Sequence, residues 1–91
     1  LLAIFQIDIA ASNKMSNIEI LTQVFREELD DNDLELTPDL SKSDLPNWDS
    51  LAHVRIIAAV EDRFGFQFSL SQIEEVETVG GLLDIIASNQ A

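Results

Sequence analysis

The chain contains no cysteine and is poor in proline, with two residues, and in glycine, with three. Without cysteine it has no disulfide, no thiolate metal site and no cysteine nucleophile, so any thiol that it uses must come from an added group. Its apolar runs are also too short to cross a membrane, which takes about 20 predominantly apolar residues in a row. These absences argue against disulfide-stabilised proteins, enzymes with a cysteine nucleophile and membrane-spanning proteins.

Basic residues are scarce as well. Five Lys and Arg stand against 17 Asp and Glu, which gives a net charge of -12. Nucleic acids and anionic membranes need Lys and Arg to neutralise their phosphates, so the charge disfavours both and favours basic protein surfaces as partners. With 91 residues, 46% of them hydrophobic, the chain suits one small domain with a modest core.

Capping patterns predict where several helices begin. Ser16 and Glu19 have the spacing of a capping box, in which each side chain accepts a backbone N–H that has no partner inside the helix. The pattern recurs at Ser69, where it predicts a short helix, and Thr78 is predicted to cap the last helix. The predicted buried positions of the first and last helices are Ile18, Leu21, Phe25, Leu29, Val79, Leu82, Leu83 and Ile86.

The acidic cluster at residues 30–35 is spaced like the first ligands of a calcium loop. Leu36 stands where such a loop needs glycine, however, and Lys42 stands where it needs a bidentate glutamate. We therefore interpret the cluster as a solvated turn. The long connection that follows, residues 34–48, carries scattered leucines, which predict that it folds back over the core.

The next helix is predicted to begin at Asp49-Ser50-Leu51. Asp49 is a good N-cap, because its carboxylate can accept unpaired N–H groups at the positive end of the helix dipole. Ser50 then lies in the first turn with its hydroxyl in solvent, where a phosphate ester would also be stabilised by the dipole. Apolar residues at steps of three or four predict the buried face of this helix: Leu51, Val54, Ile57, Val60 and Phe64.

Trp48 precedes this serine motif, and the helix that follows it ends at Val60-Glu61-Asp62-Arg63-Phe64-Gly65. With these surroundings the motif resembles that of an acyl carrier protein. The resemblance extends from about Met15 to the end of the chain. It implies an all-α fold, a small acyl-carrier-protein-like bundle of three long helices plus one short helix. It also implies that Ser50 is the attachment point of 4′-phosphopantetheine, whose thiol holds an acyl or aminoacyl group as a thioester, with Asp49 as the capping residue of the motif.

The resemblance further implies a cytoplasmic, monomeric carrier that is not an enzyme and has no metal site of its own. A phosphopantetheinyl transferase would modify it, using coenzyme A and magnesium. Ligases, synthases or transferases with basic docking surfaces would then exchange its cargo. Partner enzymes of this family dock beside the modified serine, and the matching candidates here are Asp49, Leu51, Val54, Glu61 and Asp62.

Two positions depart from carriers of fatty acid synthesis. Ala52 and Arg55 stand where such carriers commonly place carboxylates. The departure weakens a fatty-acid assignment and favours a carrier that serves a dedicated ligase, a polyketide or nonribosomal pathway, or the modification of a specialised lipid or polysaccharide. The cargo itself stays open, as does whether an acyl chain folds back between the helices.

Residues 1–14 differ from the rest. They lack a positively charged n-region, and Gln6 and Asp8 interrupt their apolar run, so a signal peptide is not expected. We interpret residues 1–14 as an added leader or flexible extension and residues 15–91 as the acyl carrier domain. A linker from a longer multidomain synthase is the alternative.

Trp48 and His53 flank the serine. Trp48 is expected to close one end of the bundle, or alternatively to shape the surface on which the arm or a partner rests. His53 is three residues from Ser50 and could in principle act as its base, but the chain offers no Gly-x-Ser-x-Gly elbow and little material for a cleft. We expect His53 to line the edge of the helix near the arm.

A different class of function also fits the composition. An unmodified acidic helical adaptor could use the same fold to bind a basic protein partner. The two hypotheses differ at Ser50, because a carrier needs that hydroxyl for a covalent bond and an adaptor does not.

Overall fold

The structure, a computed structural model, describes residues 15–90, so the interpretation of residues 1–14 lies outside the described part of the chain. Four α-helices form the fold: α1 (Asn17–Glu28), α2 (Ser50–Phe64), α3 (Leu70–Glu75) and α4 (Val79–Ser88). A single 3₁₀ turn, Lys42–Asp44, lies in the connection between α1 and α2. The predicted all-α bundle of three long helices and one short helix is confirmed.

Each helix begins where a side chain caps it. The Glu19 N–H donates to the Ser16 hydroxyl at 3.3 Å, and the Ser16 N–H donates to the Glu19 carboxylate at 2.9 Å. Gly65 ends α2 at φ 76°, in the left-handed region that glycine adopts at little cost. The other three helices have the predicted caps, Asp49, Ser69 and Thr78.

The core lies between α1, α2 and α4 and is covered by the long connection. Its largest fully buried side chains are Phe25, Leu21, Ile56, Leu82, Ile86, Val24, Val60, Val76 and Val79. Leu36 of the connection is buried, and Leu34, Leu40 and Leu45 pack against the same cluster. The prediction that this connection folds back over the core is confirmed.

The predicted buried face of α2 is partly wrong. Leu51 and Val54 are 68% and 61% exposed, whereas the residues that lie inward are Ala52, His53, Ile56, Ile57 and Val60. Each residue turns a helix by about 100°, so steps of three or four fit two neighbouring stripes of α2 equally well. The small alanine and the polar histidine gave the correct stripe a weaker apolar signal.

The long connection also holds the start of α4. The Gly80 N–H donates to the Pro38 carbonyl at 2.7 Å, and the Val79 N–H donates to the Leu40 carbonyl at 2.9 Å. These N–H groups belong to the first turn of a helix, which has no partners for them. The connection therefore replaces water at the beginning of α4 and fixes its position.

The two glycines in this turn give a matched test. A Cβ on Gly80 would lie 2.9 Å from the Pro38 carbonyl oxygen, whereas a Cβ on Gly81 would make an ordinary contact, 3.4 Å from the Thr78 hydroxyl. Alanine favours a helix over glycine by about 1 kcal/mol. In urea unfolding, Gly81→Ala should therefore leave stability unchanged or raise it by up to about 1 kcal/mol, and Gly80→Ala should lower it by about 1–2 kcal/mol because the backbones must separate. Equal effects of the two substitutions would contradict this packing.

Candidate functional site

Ser50 is the first residue of α2, and its side chain is exposed. Asp49 fixes the turn that presents it, because the Asp49 carboxylate accepts the Ala52 N–H at 2.9 Å and the Asp49 carbonyl accepts the His53 N–H at 2.8 Å. The first N–H groups of the helix have no carbonyl partners within it, which makes this end electropositive. An exposed hydroxyl at such a position is suited to carrying a phosphodiester with a long substituent in solvent.

His53 lies one helical turn after Ser50, on the part of α2 that faces inward, and is buried, with 6% of its surface exposed. The Trp48 Nε1–H donates to His53 Nδ1 at 3.0 Å, and His53 Nε2 lies 2.9 Å from the Ile73 carbonyl oxygen. An indole nitrogen can only donate, so Nδ1 accepts and Nε2–H donates, which assigns the neutral Nε2–H tautomer. We call this chain of two hydrogen bonds the Trp48–His53–Ile73 bridge. It joins the connection, α2 and α3.

The bridge corrects the expectation that His53 lines the edge of α2 near the arm. Both of its ring nitrogens are engaged in the interior, so His53 is not positioned to take a proton from Ser50. Trp48 is 3% exposed and lies edge-to-face on Phe25, with ring centroids 4.9 Å apart. Trp48 therefore packs inside the bundle and does not form part of its outer surface.

The predicted docking residues separate into two groups. Four are exposed: Asp49 directly before α2, and Leu51, Val54 and Asp62 along it. Glu61 is half-buried, and its carboxylate accepts the Phe68 N–H at 2.9 Å, so it fastens the segment after α2 to the helix. This contact has no signal in local sequence, because its partner follows the end of the helix.

Arg55, one of the two unusual positions, has its Nε 3.6 Å from a carboxylate oxygen of Glu28 on α1. Its side chain is 47% exposed, and an ion pair of this kind contributes little to stability. Ala52, the other unusual position, is buried. Leu70, at the start of α3, is a third strongly exposed apolar side chain, at 70%, that the sequence analysis did not single out.

No helix between residues 15 and 90 has the length and apolar character needed to cross a membrane. In the same range no group of three or more His, Asp or Glu side chains is arranged to hold a metal ion.

One family of known proteins matches most of the bundle. Residues 19–86 match the phosphopantetheine attachment site family. An acyl carrier protein from Coprothermobacter proteolyticus is 46% identical over 43 residues, which are 47% of this chain and 52% of that protein, so the chain spans about half the length of this relative.

Two solved structures have the same fold. The holo acyl carrier protein from Geobacter metallireducens superposes with a TM-score of 0.75 at 32% identity, over 81% of this chain and 85% of that one. A Mycobacterium tuberculosis protein superposes with a TM-score of 0.74 over 80% of this chain and 97% of that one, and at 23% identity it shows the fold alone.

The Trp48–His53–Ile73 bridge predicts that substitutions at two adjacent residues of α2 have very different effects on the free energy of unfolding. His53→Ala removes a buried ring and leaves an indole N–H and a carbonyl without partners, so it should lower the free energy of unfolding by about 2–4 kcal/mol. Val54→Ala, at an exposed position, should change it by less than about 0.5 kcal/mol. Denaturant unfolding followed by the fluorescence of the single tryptophan measures both. Similar values for the two variants would contradict the bridge.

Proposed function

Because the chain belongs to the acyl carrier protein family, whose members carry covalently attached phosphopantetheine and are not enzymes, we propose that its arm is attached to Ser50 and presents an acyl or aminoacyl thioester to partner enzymes. One observation carries the proposal: Ser50 is an exposed hydroxyl in the first turn of α2, directly after the capping Asp49. The cofactor supplies the thiol that the cysteine-free chain lacks.

In this proposal the chain positions the arm and performs no chemistry on the cargo. In the step that a phosphopantetheinyl transferase catalyses with magnesium, the Ser50 oxygen attacks the phosphorus that bears the pantetheine of coenzyme A. The pyrophosphate P–O bond breaks, adenosine bisphosphate leaves, and the hydroxyl proton is released. The N-terminal turn of α2 stabilises the attached anion through its dipole and its unpaired N–H groups. The Asp49 cap holds that turn in place, since its carboxylate and carbonyl both accept N–H groups of the helix.

The proposed docking surface lies on α2 beside Ser50. Leu51 and Val54 offer apolar contact area, and Asp49 and Asp62 offer negative charge to basic partners. Glu61 remains a candidate, although its carboxylate is already bonded to the Phe68 N–H. The net charge of -12 supports fast, electrostatically guided and reversible encounters with such partners.

For the pathway we propose only a broad class. Ala52 is buried and Arg55 lies beside Glu28, so neither position adds the exposed carboxylate that carriers of fatty acid synthesis commonly have there. We therefore favour a carrier for a dedicated ligase, a polyketide or nonribosomal pathway, or the modification of a specialised lipid or polysaccharide. We also propose that it acts in the cytoplasm.

Serine substitution tests the attachment site. Incubation with a broad-specificity phosphopantetheinyl transferase, coenzyme A and magnesium should increase the intact mass by one phosphopantetheine unit. Ser50→Ala should abolish the gain completely, because the hydroxyl itself forms the ester. Ser71→Ala, which alters an exposed serine in the first turn of α3, should leave it unchanged. A folded native protein that gains no mass, in conditions that modify a known carrier, would favour the adaptor hypothesis.

Leucine truncation tests the docking surface. Leu51 and Leu70 are almost equally exposed, at 68% and 70%, but lie on different helices. Leu51→Ala should lower kcat/KM of the transferase by about tenfold, since most of the energy of burying a leucine against the partner is lost. Leu70→Ala should lower it by less than about twofold. Equal losses would show that docking is not centred on α2.

A further inference from the structure

The Trp48–His53–Ile73 bridge lies one helical turn from Ser50, on the inner side of α2. From this geometry we propose that the bridge closes the bundle between α2 and α3 and keeps the cargo in solvent. The cargo class that suits such a carrier is a short or polar acyl group and not a long alkyl chain. The inference rests on the proposed function, because it concerns what the Ser50 arm carries.

The interior beside the attachment point is filled. Ala52 is 1% exposed, Ile56 is 0% exposed and Trp48 is 3% exposed, with the Trp48 ring edge-to-face on Phe25. We consider two of the surface depressions in residues 15–90. One is lined by the end of α2 and residues 65–67, and the other by α1 with Met15 and Glu35. Neither is lined by α3 or by the first turn of α2, where an arm on Ser50 begins.

Insertion of an alkyl chain between α2 and α3 would have to separate His53 from Ile73. The separation would break the hydrogen bond between the His53 Nε2–H and the Ile73 carbonyl. Any shift of the His53 ring would also leave the Trp48 indole N–H without its hydrogen-bond acceptor. Buried polar groups without partners are costly, and an alkyl chain has no atom that can bond to them. The bridge therefore opposes apolar cargo more strongly than a purely apolar contact would.

A cargo that stays outside the bundle remains in contact with water. A long alkyl chain held in water exposes a large apolar area, and each methylene left unburied forgoes a favourable transfer from water. A short acyl group, or one with hydroxyl or amino substituents, exposes little apolar area and keeps its hydrogen bonds to water. The closed bundle therefore matches short or polar groups.

Acyl-chain length gives the test. The transferase can load Ser50 from acetyl-coenzyme A or decanoyl-coenzyme A, and intact mass establishes that both groups are attached. We expect the melting temperatures of the acetyl and decanoyl forms to agree within about 1 °C, and their thioesters to react with hydroxylamine at rates within about twofold. The NMR signal of the single indole N–H should stay at one position in both forms, because the bridge remains intact.

Breaking the bridge should make the melting temperature depend on the length of the attached acyl chain. In His53→Ala, which leaves a cavity beside α3, the decanoyl form should melt at least about 4 °C above the acetyl form. Trp48→Phe, which removes the indole donor but keeps an aromatic ring, should show a smaller difference in the same direction. If His53→Ala does not fold, the same comparison of decanoyl and acetyl forms is made with Trp48→Phe and the native protein.

The opposite behaviour of the native protein would overturn the inference. A decanoyl form that melts about 4 °C or more above the acetyl form, reacts about tenfold more slowly with hydroxylamine and has a displaced indole signal would show that the chain is sequestered despite the bridge. A native protein that accepts no acyl-phosphopantetheine at Ser50 would overturn the proposed function and this inference with it. The intact mass distinguishes that outcome from sequestration.

Discussion

The hydrogen bonds of the buried His53 side chain hold together the three segments that surround the Ser50 turn. Through Trp48 they reach the long connection and the Phe25 ring of α1, and through the Ile73 carbonyl they reach α3. A polar group inside a small core is tolerated only when its donors and acceptors are all paired, and here both ring nitrogens are. The serine turn therefore rests on a rigid support, while the hydroxyl itself remains in solvent.

The parts of the fold that depend on nearest neighbours in sequence could be predicted. Four caps, at Ser16, Asp49, Ser69 and Thr78, act within three residues of themselves, so their patterns fixed the helix starts correctly. The exposed position of Ser50 followed from its place after Asp49. The motif and its family could be identified for the same reason, because the serine, its cap and the following helix are contiguous.

The rest depends on contacts between distant segments. The inward stripe of α2 contains alanine and histidine, which give only a weak apolar signal. His53 is buried where its ring bonds to the Trp48 indole and to the Ile73 carbonyl. The need for Gly80 arises from the approach of the Pro38 carbonyl, 42 residues earlier in the numbering. The exposed leucine and valine on α2 were predicted both to be buried and to bind partners. The structure excludes the first role and leaves the second as a proposal.

Localisation of the modification by peptide fragmentation can establish whether Ser50 carries the arm. Trypsin cleavage after Lys42 and Arg55 releases residues 43–55, which include two serines, Ser43 and Ser50. In protein produced together with a phosphopantetheinyl transferase, we expect the fragment ions to place phosphopantetheine on Ser50 alone. Phosphopantetheine on Ser43, or on a peptide elsewhere in the chain, would rule out Ser50 as the single attachment point.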